Sequence, residues 1–124
     1  KQLGGGMRQS GILAAAGLYA LEHNLNRLNT DHHNASVLAQ KLSQNPVFHV
    51  RHNLTHTNIV YADIEPDKAE SMHAHLASNH IKVNSAEAVI SDGKIWFRFR
   101  FVTHLNIDDE DIDRLIDCSN IFDG

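Results

Sequence analysis

The sequence is short of several things, and each shortage removes a class of protein. It holds one cysteine, Cys118, in 124 residues, so there is no internal disulfide framework, and a reducing, cytoplasmic setting is expected. No apolar run approaches the roughly 20 residues that a bilayer span needs, so no membrane partner is expected. Positive charge is scarce as well: 11 Lys and Arg stand against 15 Asp and Glu, for a formal charge of −4. A nucleic-acid footprint is normally a strongly basic face, so nucleic acid is not an expected partner either. There are only two prolines, and we find no repeat and no low-complexity tract. What remains, 42% apolar and 21% charged, is the composition of one ordinary globular core.

The familiar catalytic signatures are missing too. Ten histidines raise the question of a metal, but their spacing argues against one. His73 and His75 stand i, i+2 on an expected helix, about 160° apart, whereas a helical zinc pair wants i, i+4. His32 and His33 diverge in the same way, and His52 and His56 lie in a loop without a carboxylate or thiol nearby. Solvated surface histidines and no metal are therefore expected. No G-x-S-x-G is present, no Lys-Ser/Thr pair follows the glycine run, and Cys118 falls inside a helix rather than at its N-terminus.

What the sequence does have begins with Gly4-Gly5-Gly6-Met7-Arg8-Gln9-Ser10-Gly11, which runs into the apolar stretch Ile12–Leu21. A helix N-terminus with free N–H groups is an anion site, and Arg8 in its first turn is unfavourable there without an anion. The plainer reading is a flexible glycine leader followed by a solvent-facing arginine. The expected helix, about Met7 to Leu28, carries the stripe Leu18, Leu21, Leu25 and Leu28 in its second half. Its first half is apolar nearly all round, which implies burial on every side. A chain this short does not cover both sides by itself, so a missing domain or second subunit is expected to cover one. The start at Lys1, almost inside a helix, likewise suggests a piece of a longer protein.

Further along, Thr30 is an expected N-cap for a second helix with Ala35, Leu38 and Leu42 on one face, ended by Asn45-Pro46. Strands are expected at Val47–Val50, Asn58–Ile64, Ile81–Val83 and Ile95–Val102. Pro66 opens a third helix with Ala69, Met72, His73 and Leu76 inward and Asn79 as its left-handed stop. Asp108 and Asp111 cap a last helix whose stripe is Ile112, Leu115, Ile116 and Phe122. The order is α-α-β-β-α-β-β-α. The expected fold is α+β, a long N-terminal helix pair followed by a small, mostly antiparallel sheet with helices on one face. Residues 1–45 would be interface helices and 46–124 the α+β domain.

The strand Ile95-Trp96-Phe97-Arg98-Phe99-Arg100-Phe101 alternates cleanly. Ile95, Phe97, Phe99 and Phe101 form its core face; Trp96, Arg98 and Arg100 form the other. The two arginines are either edge charges that discourage strand pairing or a fork for an anionic ligand, for which Arg is better suited than Lys.

Three groups of these residues resemble one family. Lys1 to Leu21, continuing through Asn24, Arg27-Leu28, Asp31-His32 and Asn34-Ala35, is similar to the segment after the cofactor lysine in low-specificity L-threonine aldolases. Thr57-Asn58 and Arg100-Phe101-Val102-Thr103-His104-Leu105 follow in the same order. The likeness spans nearly the whole chain, weakest at 46–56 and 85–96. Asn106 departs from the Asp usual after Thr-His-Leu. The resemblance implies the C-terminal small domain of a fold-type-I pyridoxal 5'-phosphate enzyme that cleaves threonine or allo-threonine to glycine and acetaldehyde. It implies Lys1 and Arg8 on the cofactor phosphate, reaching into a neighbouring subunit, and Arg100 on the substrate α-carboxylate. It also implies an amino-acid substrate and a homo-oligomer, a tetramer for the full-length enzyme. The cofactor-bearing lysine would lie upstream, so no catalytic residue is expected in this chain and the chain alone is expected to be inactive. The competing readings are a non-catalytic α+β module binding an anionic metabolite, or a related fold-type-I enzyme such as a β-eliminating lyase.

Overall fold

The computed structural model describes residues 4–123. Four helices and a three-stranded sheet follow one another: α1 (Gly11–His23), α2 (Leu28–Leu42), β1 (Ile59–Ile64), α3 (Ala69–Ser78), β2 (Glu87–Ser91), β3 (Lys94–Val102) and α4 (Asp109–Asn120). The sheet order is β1-β3-β2 and both pairings are antiparallel. The fold is thus α+β, as expected.

β3 is the central strand because its alternation serves two layers. Phe99 and Phe101 face Ala62 and Val60 of β1, and all four are buried against Ala35, Leu38 and Leu42 of α2, Met72 and Leu76 of α3, and Ile112 and Leu115 of α4. Tyr61 and Arg100, which alternate with them, are exposed on the opposite face. The expected core face fails at its start: Ile95 is 56% exposed, and Phe97 is half-buried. The β2–β3 hairpin carries these residues past the helices. Its turn is a two-residue one, with Asp92 at φ 54° and Gly93 at φ 75°, the paired positive φ that fits the strand twist.

Several element boundaries differ from those expected. The first helix starts at Gly11 rather than Met7, after a turn at residues 8–10, and ends at His23 in a single 3-10 turn, Leu25–Arg27. That turn delivers the backbone already helical at Arg27, so α2 begins at Leu28 without a side-chain cap, and Thr30 lies inside it. Val47–Val50 forms only an isolated bridge, His49 to Asp63, because Asn45 holds this stretch in a turn: its Oδ1 accepts from the Val47 N–H at 2.8 Å. Ile81–Val83 forms no strand. Instead the third helix ends in a 6→1 closure, with the Ile81 N–H donating to the Leu76 carbonyl at 2.9 Å. The left-handed residue of that closure is His80, φ 62°, not Asn79, whose side chain donates to the His75 carbonyl at 2.9 Å. Pro66 opens a 3-10 turn that precedes α3. The last helix follows its sequence closely: Asp108 and Asp111 form a reciprocal capping box, and Ile112 and Leu115 are buried, with Ile116 and Phe122 half-buried.

The first two helices have opposite environments. α2 gives the core Ala35, Leu38, Ala39 and Leu42, all nearly inaccessible. α1 buries no residue, and Ile12, Leu13, Leu18, Tyr19 and Leu21 are 58–81% exposed. None of the helices in the described residues is long and apolar enough to cross a membrane.

Candidate functional site

The outer face of β3 carries Trp96, Arg98 and Arg100, and the structure treats each differently. Trp96 is stacked on His49 at 4.9 Å, with the Lys94 ammonium 4.3 Å from its ring centre. Arg98 is held by Asp63, its register partner on β1, through two bonds: Nε donates to Oδ1 at 2.6 Å and Nη2 to Oδ2 at 2.8 Å. Its guanidinium also lies 5.2 Å over the Tyr61 ring. The bidentate bond to Asp63 raises its pKa above the usual arginine value, with burial opposing. Arg100 faces Tyr61 in register, is exposed, and has no ion pair or side-chain hydrogen bond among the described residues. Of the two arginines, only Arg100 is free to take an anion.

The surroundings suit one. Arg100 lines a groove of about 380 Å³ that runs along the edge of β3, past the 80–84 segment, to the start of α4. Lys82, Arg114 and Arg100 line it against the single carboxylate of Asp111, and that carboxylate already accepts from the Asp108 N–H. A cleft with an excess of positive charge concentrates anionic ligands.

The strand end that carries Arg100 is fastened by a buried polar clasp. Thr103, 1% exposed, donates its N–H to the Asn58 carbonyl at 2.9 Å, and Asn58 Nδ2 donates to the Thr103 carbonyl at 2.7 Å. Thr103 Oγ1 donates to the Asp31 carbonyl of α2 at 2.6 Å. Beside it, Asn34 Nδ2 reaches the Ile107 carbonyl at 3.1 Å, and Arg27 pairs with Asp31 at 3.2 Å. Apart from Ile107, these residues come from the three family-like stretches of the sequence, and the fold gathers them into one network. Sequence reasoning quoted Asn58 and Thr103 but gave them no task, and it did not single out Lys82. The signal for the clasp was an amide and a hydroxyl flanking two apolar strands, which close on each other only when those strands pair. His104 accepts from the Asn106 N–H at Nδ1, 3.2 Å, which puts the neutral ring's proton on Nε2.

The other sequence candidates lie elsewhere. Lys1 falls outside the described residues. Arg8 is exposed in the turn before α1, and no hydrogen bond or ion pair engages its side chain among the described residues. Ser10, the N-cap residue, makes no side-chain cap, so the first N–H groups of α1 have no side-chain acceptor there. A guanidinium beside unsatisfied N–H donors fits a phosphate chemically. No hydrogen bond, ion pair or shared groove brings Arg8 and Arg100 together among the described residues.

Most of the histidines are exposed, as expected from their spacing, but His73 and His75 are half-buried and bonded. His73 Nε2 lies 3.1 Å from the Val83 carbonyl and His75 Nε2 lies 2.9 Å from the Cys118 carbonyl, tying α3 to its neighbours. No group of three His, Cys, Asp or Glu able to hold a metal is found among the described residues. Burial pushes the Cys118 thiol above its ordinary 9.0, which suits packing rather than nucleophilic attack.

Comparison with known proteins gives the class. The profile of the family described as beta-eliminating lyase matches residues 1–65, and the chain belongs to that family. Among its relatives, the low specificity L-threonine aldolase of Escherichia coli K12 is 35% identical over 112 residues, covering 90% of this chain and 30% of that protein. A probable low-specificity L-threonine aldolase 2 of Arabidopsis thaliana is 37% identical over 118 residues, covering 95% and 32%. A probable low-specificity L-threonine aldolase of Schizosaccharomyces pombe is 52% identical over 40 residues, covering 32% and 11%. The chain spans about a third of the length of the E. coli and Arabidopsis relatives.

Proposed function

We propose that this chain is the C-terminal part of an L-threonine or L-allo-threonine aldolase, in which Arg100 holds the α-carboxylate of the amino acid. The observation that carries the reading is the unpaired Arg100 guanidinium in a cationic groove, beside an Arg98 that Asp63 already occupies. The aldolase relatives supply the reaction class.

In the cleavage the β-hydroxyl loses its proton, the Cα–Cβ bond breaks, and Cα gains a proton, giving glycine and an aldehyde. Pyridoxal phosphate, when bound, supplies the electron sink for the bonding pair. This chain's part is binding and orientation. A bidentate grip on the carboxylate fixes the rotation of the amino acid about Cα, and with it the direction of the Cα–Cβ bond. The Asn58–Thr103 clasp keeps the strand carrying Arg100 in register with β1 and α2. Lys1 and Arg8 would hold the cofactor phosphate, reaching a neighbouring subunit across the apolar face of α1 in a homo-oligomer, a tetramer for the complete enzyme. Residues 1–45 would form that interface and 46–124 the small domain. The lysine that carries the cofactor would lie upstream, so the chain alone would be inactive. A cytoplasmic setting suits the single buried thiol.

The test is product analysis with threonine, using the full-length enzyme that carries this segment and the chain alone, both with pyridoxal phosphate. Glycine and acetaldehyde from the full-length enzyme, and nothing from the chain, are expected. Release of 2-oxobutanoate and ammonia would show β-elimination instead. No turnover by either would return the chain to the anion-binding module reading.

A further inference from the structure

A buried scaffold fixes the residues that follow β3, and one polar side chain of that segment is left over. α2 holds both ends of it: Thr103 Oγ1 donates to the Asp31 carbonyl at 2.6 Å, and Asn34 Nδ2 donates to the Ile107 carbonyl at 3.1 Å. Asp31, Asn34 and Thr103 are buried, so these bonds are sheltered from competing water. Between the two ends the Ile107 N–H donates to the His104 carbonyl at 2.8 Å and closes a turn. The His104 ring folds back on that turn, Nδ1 accepting from the Asn106 N–H at 3.2 Å. Nδ1 is thereby occupied, and Nε2 of the neutral ring carries the proton with no partner among the described residues.

That donor stands in the groove of Arg100. Thr103, His104 and Ile107 line it together with Arg100. The Thr103 hydroxyl is committed to α2 and Ile107 is apolar, so His104 brings the available donor of this segment. It comes four residues after Arg100, with Phe101 and Thr103 buried between them and Val102 exposed. Asp111, the carboxylate of the groove, bonds the Asp108 N–H and not the His104 ring. A ligand carboxylate has roughly four lone-pair sites, so a bidentate arginine leaves room on it for a further donor.

We propose that His104 is a substrate-binding residue: its Nε2–H donates to the carboxylate of the amino acid that Arg100 holds. The proposal rests on the assignment of the substrate carboxylate to Arg100. The turn fixes the ring before the ligand arrives, so little side-chain freedom is lost on binding.

The two ring nitrogens can be separated by substitution in the full-length holoenzyme. His104→Asn keeps an acceptor for the Asn106 N–H, as in an Asx turn, and removes the donor at the tip. His104→Gln keeps a donor near the Nε2 position and gives up the turn. Calorimetric titration with L-alanine reads the carboxylate contact, and ethylamine, an amine without a carboxylate, is the reference ligand. His104→Asn is expected to weaken L-alanine about tenfold and to leave ethylamine unchanged, with His104→Gln closer to the parent. His104→Phe, which also lacks the donor, takes its place should the asparagine variant fail to fold. Combined with Arg100→Ala, the effect of His104→Asn is expected to shrink, because both groups act on one carboxylate. A folded His104→Asn variant with the parent affinity for L-alanine would overturn the proposal. So would a loss equal for L-alanine and ethylamine, or a loss in His104→Gln as large as in His104→Asn, which would assign the ring to the turn alone. Failure of the underlying assignment looks different: Arg100→Ala would then leave the affinity for L-alanine unchanged, whatever happens at His104.

Discussion

The first helix and the sheet-and-helix core are built from the same kinds of residue and have opposite environments. Leu42, Phe99 and Ile64 are at most a few per cent accessible, whereas Leu18, Leu21 and Ile12 are 58–81% exposed. The difference lies in pattern. α2 buries apolar residues at 35, 38, 39 and 42, with Val37 half-buried at the margin and the rest mostly polar, which matches one surface. α1 is apolar on every side, with Gly11, Ala14, Ala15, Ala16 and Gly17 allowing close approach, and matches no single surface of this chain. An exposed apolar helix of this kind is what the proposed subunit interface would cover.

That comparison can be broken by substitution. The largest effect belongs to the core: Phe99→Ala is expected to cost about 3–5 kcal/mol by denaturant unfolding, because its ring is fully buried beside Phe48, His73 and Phe101. Thr103→Val comes next, at about 1–3 kcal/mol. It keeps the shape but strips the donor from the Asp31 and Asn58 carbonyls. Smallest is Leu18→Ala, expected within about 0.5 kcal/mol in the unfolding of the isolated chain despite the loss of a large apolar side chain. A cost comparable to that of Phe99→Ala would mean that α1 packs on this chain's own core.

The sequence was most legible where one local rule decided the outcome. The Asp108–Asp111 capping box and the alternation of β3 over Phe99–Val102 each depend on neighbours in the chain, and each appears in the structure. It misled where tertiary geometry chose among equals. Val47–Val50 has strand-forming residues, but Asn45 turns the chain there. Ile81–Val83 is equally β-prone, yet the helix closure at His80 leaves it without a ladder. At the candidate site, residue type and face were legible for Arg98 and Arg100 together. Which of the two was available was not, because that depends on Asp63, 35 positions away and across a strand pairing. The clasp escaped for the same reason: Asp31, Asn58 and Thr103 meet only once three elements have packed.

The difference between the two arginines is the centre of this account, and one measurement bears on it directly. In the full-length enzyme, Arg100→Ala should raise the threonine KM at least about tenfold while the absorbance band of the bound cofactor stays in place. Loss of the cofactor band with an unchanged threonine KM would contradict the assignment.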